Sequence, residues 1–244
     1  YFPCFVSFSV AKIGNTRSFL IEVKPRYFAS MPRFALPNQP ISPQLVLWKL
    51  SEEEFEGMSP WSHFFPERPT SDLPLLRQKE HVAVLLATQA LLGHPHWHLR
   101  HNKDGKPLLV PNASPVTWSS FGVSHHTTED GATWAVVGVW ENDTTGGLDL
   151  VEIKDPRIQR VAPRIMSTKE CEEFMGLEPW VWASKEAMFK GHGPKLDYRK
   201  ELSISAIEEV KGTIHGSVKG NEWHGCALEA VPGLLLVWSS PVHK

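Results

Sequence analysis

The stretch WASKEAMFK, residues 182–190, sets Glu186 and Lys190 one helical turn apart in an otherwise apolar run. At i and i+4 in this order they can form a solvated pair worth about 0.2–0.5 kcal/mol. They can equally offer a carboxylate and an ammonium together to a third group. Asp149 lies inside the apolar strand pattern GGLDLVEI. A carboxylate there is costly unless it is paired, solvated or bound to a cation, and the preceding glycine turn offers the solvated solution. On a strand Asp149 and Val151 share one face, Leu148 and Leu150 the other, and Glu152 falls opposite Asp149. Lys106, in DGKPLL, sits on a turn with the rigid Pro107 behind it. A lysine so placed is a point-charge donor for phosphate, or an ordinary surface lysine. GVSHH closes an apolar strand with Ser124 and His125, which can bind an anion or simply end the strand.

These residues need strands and helices to hold them. QLVLWKL (44–50) reads as a strand, and Ser51 with Glu54 makes a capping-box pattern for a short helix over SEEEFEG. A long apolar helix is predicted from Leu73 to Leu92, stopped by Gly93 and Pro95. HWHLRH and KPLLV read as a hairpin turned by NKDG, and VTWSSFGVSHH with TWAVVGVW as a second antiparallel pair. ENDTTGG is the turn-rich break between two halves. Beyond it come the strand LDLVEI, a short helix STKECEEFMG boxed by Ser167 and Glu170, and a longer helix LEPWVWASKEAMFKG. Four strands follow: ELSISAIEEV, GTIHGSV, NEWHGCALEAV and GLLLVWSS. Each half, 31–143 and 144–244, thus supplies one long helix and several antiparallel strands, an α+β class that admits an internal pseudo-symmetry, though no residue repeat establishes duplication.

Composition narrows the function. The 244 residues are 41% hydrophobic and 21% charged, enough for a sizeable core. A net charge of −2 gives no basic field for nucleic acid, and no apolar run is long enough to span a membrane. Cys4, Cys171 and Cys226 are odd in number and form no CxxC, which predicts buried thiols in a reducing, cytoplasmic setting. His96 and His98 share a strand face, but with no cysteine partner and no HExxH spacing they do not predict zinc. Nucleophile-elbow, P-loop and GxGxxG patterns are absent, so hydrolase and nucleotide-triphosphate chemistry lack support. Residues 1–30 carry one acidic residue, Glu22, and no methionine. They are expected to be a non-native or disordered extension, with Met31 as the natural start; the alternative is a genuine N-terminal strand, SFLIEV.

In order along the chain, GKP (105–107), FGVSHH (121–126), GLDLVEI (147–153) and WASKEAMFK (182–190) resemble the motifs of the 4′-phosphopantetheinyl transferase superfamily. The likeness runs from about residue 73 to residue 200. The length is similar to the larger subgroup, in which two halves form a pseudo-dimer within one chain. GLDLVE looks more like the small holo-acyl-carrier-protein synthases. The resemblance implies Mg2+-dependent transfer of 4′-phosphopantetheine from coenzyme A to a serine of an acyl or peptidyl carrier protein, by a monomer. It implies Asp149 and Glu186 as magnesium ligands, Glu186 and Lys190 as catalytic residues, and Lys106, Pro107, Ser124 and His125 as the coenzyme A site.

Two departures stand out. Many members of the larger subgroup carry a third carboxylate two residues after the aspartate; here that position is Val151. A basic residue of the first long helix is expected on the nucleotide phosphate, and Arg77, Lys79 and His81 all qualify. The alternatives to an active transferase are a relative that binds coenzyme A or a carrier protein without transfer, and an interaction domain with chance motif matches.

Overall fold

In the computed structural model, residues 43–57, 73–92, 97–111, 118–141 and 144–242 are described. The expected extension 1–30 and His96 lie outside them. The chain is α+β with antiparallel sheets, and the described residues fall into two compact units, 43–141 and 144–242.

The first unit opens with β1 (Gln44–Lys49), followed by the short helix α1 (Glu52–Gly57). The capping box forms at its start: Ser51 N donates to Glu54 Oε2 at 2.9 Å and Glu54 N to Ser51 Oγ at 3.2 Å. The long helix α2 spans Leu75–Leu92. It begins two residues later than expected because Pro74 has no N–H and suits a helix entrance. The hairpin β2 (Trp97–His101) and β3 (Pro107–Pro111) forms as its turn chemistry requires, with Asn102 Oδ1 accepting from the backbone N–H groups of Asp104 and Lys106. β4 (Trp118–Thr127) and β5 (Thr133–Glu141) complete a sheet of order β1-β5-β4. Val82, Val84 and Leu85 of α2 pack with Val46, Phe121, Ala135, Val137 and Val139 of that sheet. Each such side chain contributes about 1.5–3 kcal/mol through burial.

The second unit begins with β6 (Gly147–Glu152). Helix α3 (Pro156–Ile165) follows, an element not anticipated in DPRIQRVAPRIM. Its signal was present: Asp155 caps it, accepting from Arg157 N at 2.8 Å, and Pro156 occupies the first turn. Helix α4 (Thr168–Glu173) carries the expected Ser167/Glu170 box, and α5 runs Glu178–His192. β7 (Leu202–Glu208), β8 (Thr213–Val218), β9 (Asn221–Val231) and β10 (Leu234–Pro241) form a meander, giving a five-stranded sheet of order β6-β10-β9-β8-β7. Val181, Ala183, Ala187 and Met188 of α5 bury against Val151, Ile204, Ile214, Trp223, Leu235 and Val237. In both units the first strand pairs with the last, and the long helix precedes the other strands in sequence.

Of the thiols expected to be buried, Cys4 lies outside the described residues. Cys171 is exposed on α4, while Cys226 is part-buried on β9, where burial pushes its thiol up to about 11; both are free. Cys171 follows Glu170, which fills the inward position of that short helix. Among the described residues no helix is long and apolar enough to cross a membrane.

Candidate functional site

Asp149, Glu186 and Lys190 come together in the second unit. The register is unbroken along β6, with Asp149 opposite Val237 and Val151 opposite Leu235, so both point to the face that α5 covers. Two glycines let helix and strand approach so closely. A Cβ on Gly147 would lie 2.1 Å from the Ala187 carbonyl oxygen and 2.4 Å from Gly191 N; one on Gly191 would meet Gly147 N at 2.9 Å. With backbones that near, Lys190 Nζ reaches Asp149 Oδ1 at 2.6 Å. Asp149 is buried and Lys190 about one-third exposed.

Glu186 lies on the same helix face. Burial, and then the negative charge of Asp149, push its carboxyl above the ordinary value, with Lys190 and a Tyr198 hydrogen bond acting the other way. Tyr198 donates from its hydroxyl to Glu186 Oε1 at 2.9 Å. Burial first, then the charge of Glu186, raise the Tyr198 phenol far above its usual range, so it stays a donor. Asp149 and Glu186 are hard oxygen donors of the kind a divalent cation takes, and a cation would relieve the charge crowding on Glu186. Among the described residues no group of three or more His, Cys, Asp or Glu side chains is arranged to hold a metal. Asp149 and Glu186 would therefore need oxygens from substrate or water. Val151 belongs to the apolar cluster beneath α5 and brings no donor.

In the first unit, His125 projects toward α2, where its Nδ1 lies 3.4 Å from Glu80 Oε1. Arg77 Nη1 meets the other oxygen of Glu80 at 2.7 Å. The Glu80 side chain is 8% exposed, against 33% for His125 and 57% for Arg77. Burial alone would raise the Glu80 carboxyl, but the hydrogen bonds and charges of His125 and Arg77 outweigh it and hold it below the ordinary value. Of the three basic candidates on α2, Arg77 is the one that shares a carboxylate with His125. Lys79 pairs with Glu52, and His81 Nδ1 lies 2.7 Å from the Arg77 carbonyl oxygen.

Ser124 and His125 leave β4 on opposite faces, Ser124 buried and His125 part-exposed. Their side chains cannot act as adjacent donors on one oxygen. Lys106 stands on the β2–β3 turn just before Pro107, part-buried, and burial lowers its ammonium below the ordinary value.

Three participants were not picked out from the sequence. Tyr198 sits in a loop with no periodic signal. Glu80 reads as an ordinary i,i+3 partner of Arg77. Lys185 looks like a helix-surface lysine yet is fully buried on Glu170, with its Nζ 2.7 Å from Oε2. No protein-family model and no curated protein matches the chain.

Proposed function

We propose that the protein transfers the 4′-phosphopantetheine arm of coenzyme A to a serine hydroxyl of an acyl or peptidyl carrier protein, acting as a cytoplasmic monomer. The observation that carries the reading is the convergence of Asp149, Glu186 and Lys190, with Asp149 and Lys190 41 residues apart in sequence. The serine oxygen attacks the phosphorus that bears the pantetheine arm. The bond from that phosphorus to the bridging oxygen breaks, and adenosine 3′,5′-bisphosphate leaves. Lys190 offers its ammonium to the pyrophosphate, whose charge must be neutralised as the bond breaks. Asp149 holds Lys190 in place and, with Glu186, would hold magnesium. When bound, magnesium neutralises and aligns the pyrophosphate oxygens. Glu186 takes up the serine proton through an intervening water and not directly, because a carboxylate that also holds a cation is a weak base.

The reading assigns coenzyme A phosphates to Lys106 and His125, with Arg77 as the basic residue of α2. We also infer that the two units are related halves of a pseudo-dimer, because in each the first strand pairs with the last and the long helix precedes the other strands, although the first unit splits its strands into a three-stranded sheet and a separate hairpin. One observation favours the binding-only alternative: Val151 is apolar and buried, so the position two after Asp149 adds no third carboxylate. Chromatography of the released nucleotide separates the two. Carrier-dependent adenosine 3′,5′-bisphosphate supports the transferase; tight coenzyme A binding without release supports the binder.

A further inference from the structure

Lys185 and Glu186 are neighbours on α5, and both grip Tyr198. The Lys185 ammonium spends its three protons inside the fold, donating to Glu170 Oε2 at 2.7 Å, to the Ile165 carbonyl at 2.8 Å and to the Tyr198 carbonyl at 2.9 Å. Glu170 is fixed in turn: its Oε1 accepts from Ile204 N at 2.8 Å and its Oε2 from Ser167 N at 2.7 Å. Helix α3, the start of α4, α5 and β7 are therefore tied to the backbone at Tyr198 through one buried ion pair.

The ring of Tyr198 is held as firmly. It stacks on Trp182 at 6.5 Å between centroids and lies 5.0 Å from Phe189. Those aromatics stand one turn either side of Glu186, so the phenol is delivered to its carboxylate, and the hydroxyl donates to Oε1 at 2.9 Å. A glutamate side chain left to itself samples many rotamers, and ordering it during reaction costs free energy. A donor that is already immobile removes much of that cost. Such outer hydrogen bonds set the orientation of carboxylates that bind cations.

We propose that Tyr198 is the positioning residue of Glu186, held by the Lys185–Glu170 pair and by Trp182 and Phe189, and that its hydroxyl fixes the Glu186 carboxylate for the transfer. The proposal rests on the reading that Glu186 serves that reaction. Tyr198→Phe, which keeps the ring and its packing, is compared with wild type and with Glu186→Ala. Turnover is measured with a carrier protein. Mn2+ affinity is measured by electron paramagnetic resonance with coenzyme A present and no carrier. For Tyr198→Phe, kcat per folded protein should fall about ten- to hundredfold and Mn2+ should bind more weakly by a similar factor. The KM for coenzyme A and the melting temperature should stay close to wild type. Unchanged kcat and Mn2+ affinity, with Glu186→Ala inactive, would overturn the proposal alone. So would a lower melting temperature with kcat per folded protein intact, since Tyr198 would then be packing only. An active Glu186→Ala would remove the underlying reading and the proposal with it.

Discussion

Glu186 and Lys190 could have been a surface pair worth a few tenths of a kcal/mol, and their partners argue otherwise. Lys190 turns to Asp149 on β6 and Glu186 to the Tyr198 hydroxyl, which places a cation and two carboxylates on one face. Replacing Asp149, Glu186 or Lys190 with alanine should cut transfer at least about a hundredfold, the scale of a lost charge at a phosphoryl transition state. Circular dichroism should show the fold retained; near-normal turnover at saturating magnesium would return the residue concerned to a structural role. His125→Ala should raise the KM for coenzyme A about tenfold or more while sparing kcat, because a remote phosphate contact is uniform binding. Dephospho-coenzyme A should be indifferent to the change, and an equal penalty on both substrates would contradict the assignment. Glu80 gives a pH dependence with a definite sign. Its folded carboxyl lies below the ordinary 4.5, so its stabilisation is present above that pH and is lost as pH falls through the folded value. The stability advantage of wild type over Glu80→Gln should therefore be full at neutral pH and shrink below about pH 4.5. Thermal melts across that range check it, and a gap independent of pH would refute it.

The elements that carry these residues meet because two glycines allow it. A methyl group on Gly147 would collide with the carbonyl of Ala187, and neither backbone can yield without moving β6 from α5. Gly147→Ala should cost at least about 1–3 kcal/mol. It should also depress transfer, since a displacement of about 1 Å at a reacting group can cost a hundredfold. Urea denaturation and turnover measure both, and wild-type values for both would show the contact to be slack. Breaking the Lys185–Glu170 pair is a harsher test of the framework. Glu170→Ala strands a buried ammonium, at a cost of about 3–5 kcal/mol. Much of this framework was legible. The Ser51/Glu54 and Ser167/Glu170 boxes, the hairpin at Asn102–Gly105 and the strand periods are local patterns, and local hydrogen bonds produce them. What local patterns could not disclose is a second use of the same atom. Glu170 Oε2 caps α4, which spacing reveals, and also receives Lys185 from 15 residues away, which only packing decides. The opposite outlook of Ser124 and His125 was available from strand alternation but was masked by reading them as one motif. Tyr198 had no signal, because a loop residue's partner is set by the tertiary fold.

At the scale of the molecule, two units divide the candidate chemistry, each with a long helix on an antiparallel sheet whose first strand pairs with its last. The first holds the Glu80-centred cations and Lys106, the second the acidic pair with Lys190. Composition excluded a basic field but could not say which charges would be gathered, because a net charge of −2 averages over both. Val151 marks a limit at this scale too. It sits in the apolar core of the second unit, so a carboxylate introduced there would be buried at a cost, and among the described residues Asp149 and Glu186 are the carboxylates the proposed site offers. Magnesium should accordingly bind weakly to the free protein and arrive with coenzyme A, whose phosphates complete its oxygen shell. Calorimetry showing tight magnesium binding without coenzyme A would contradict the two-carboxylate site. The most direct test of the whole account is the intact mass of an unmodified carrier protein after incubation with this protein, coenzyme A and magnesium. The account predicts that the carrier gains one phosphopantetheine arm on its serine, and gains nothing when Asp149→Ala replaces wild type. A carrier of unchanged mass under conditions where a known transferase modifies it would contradict the account.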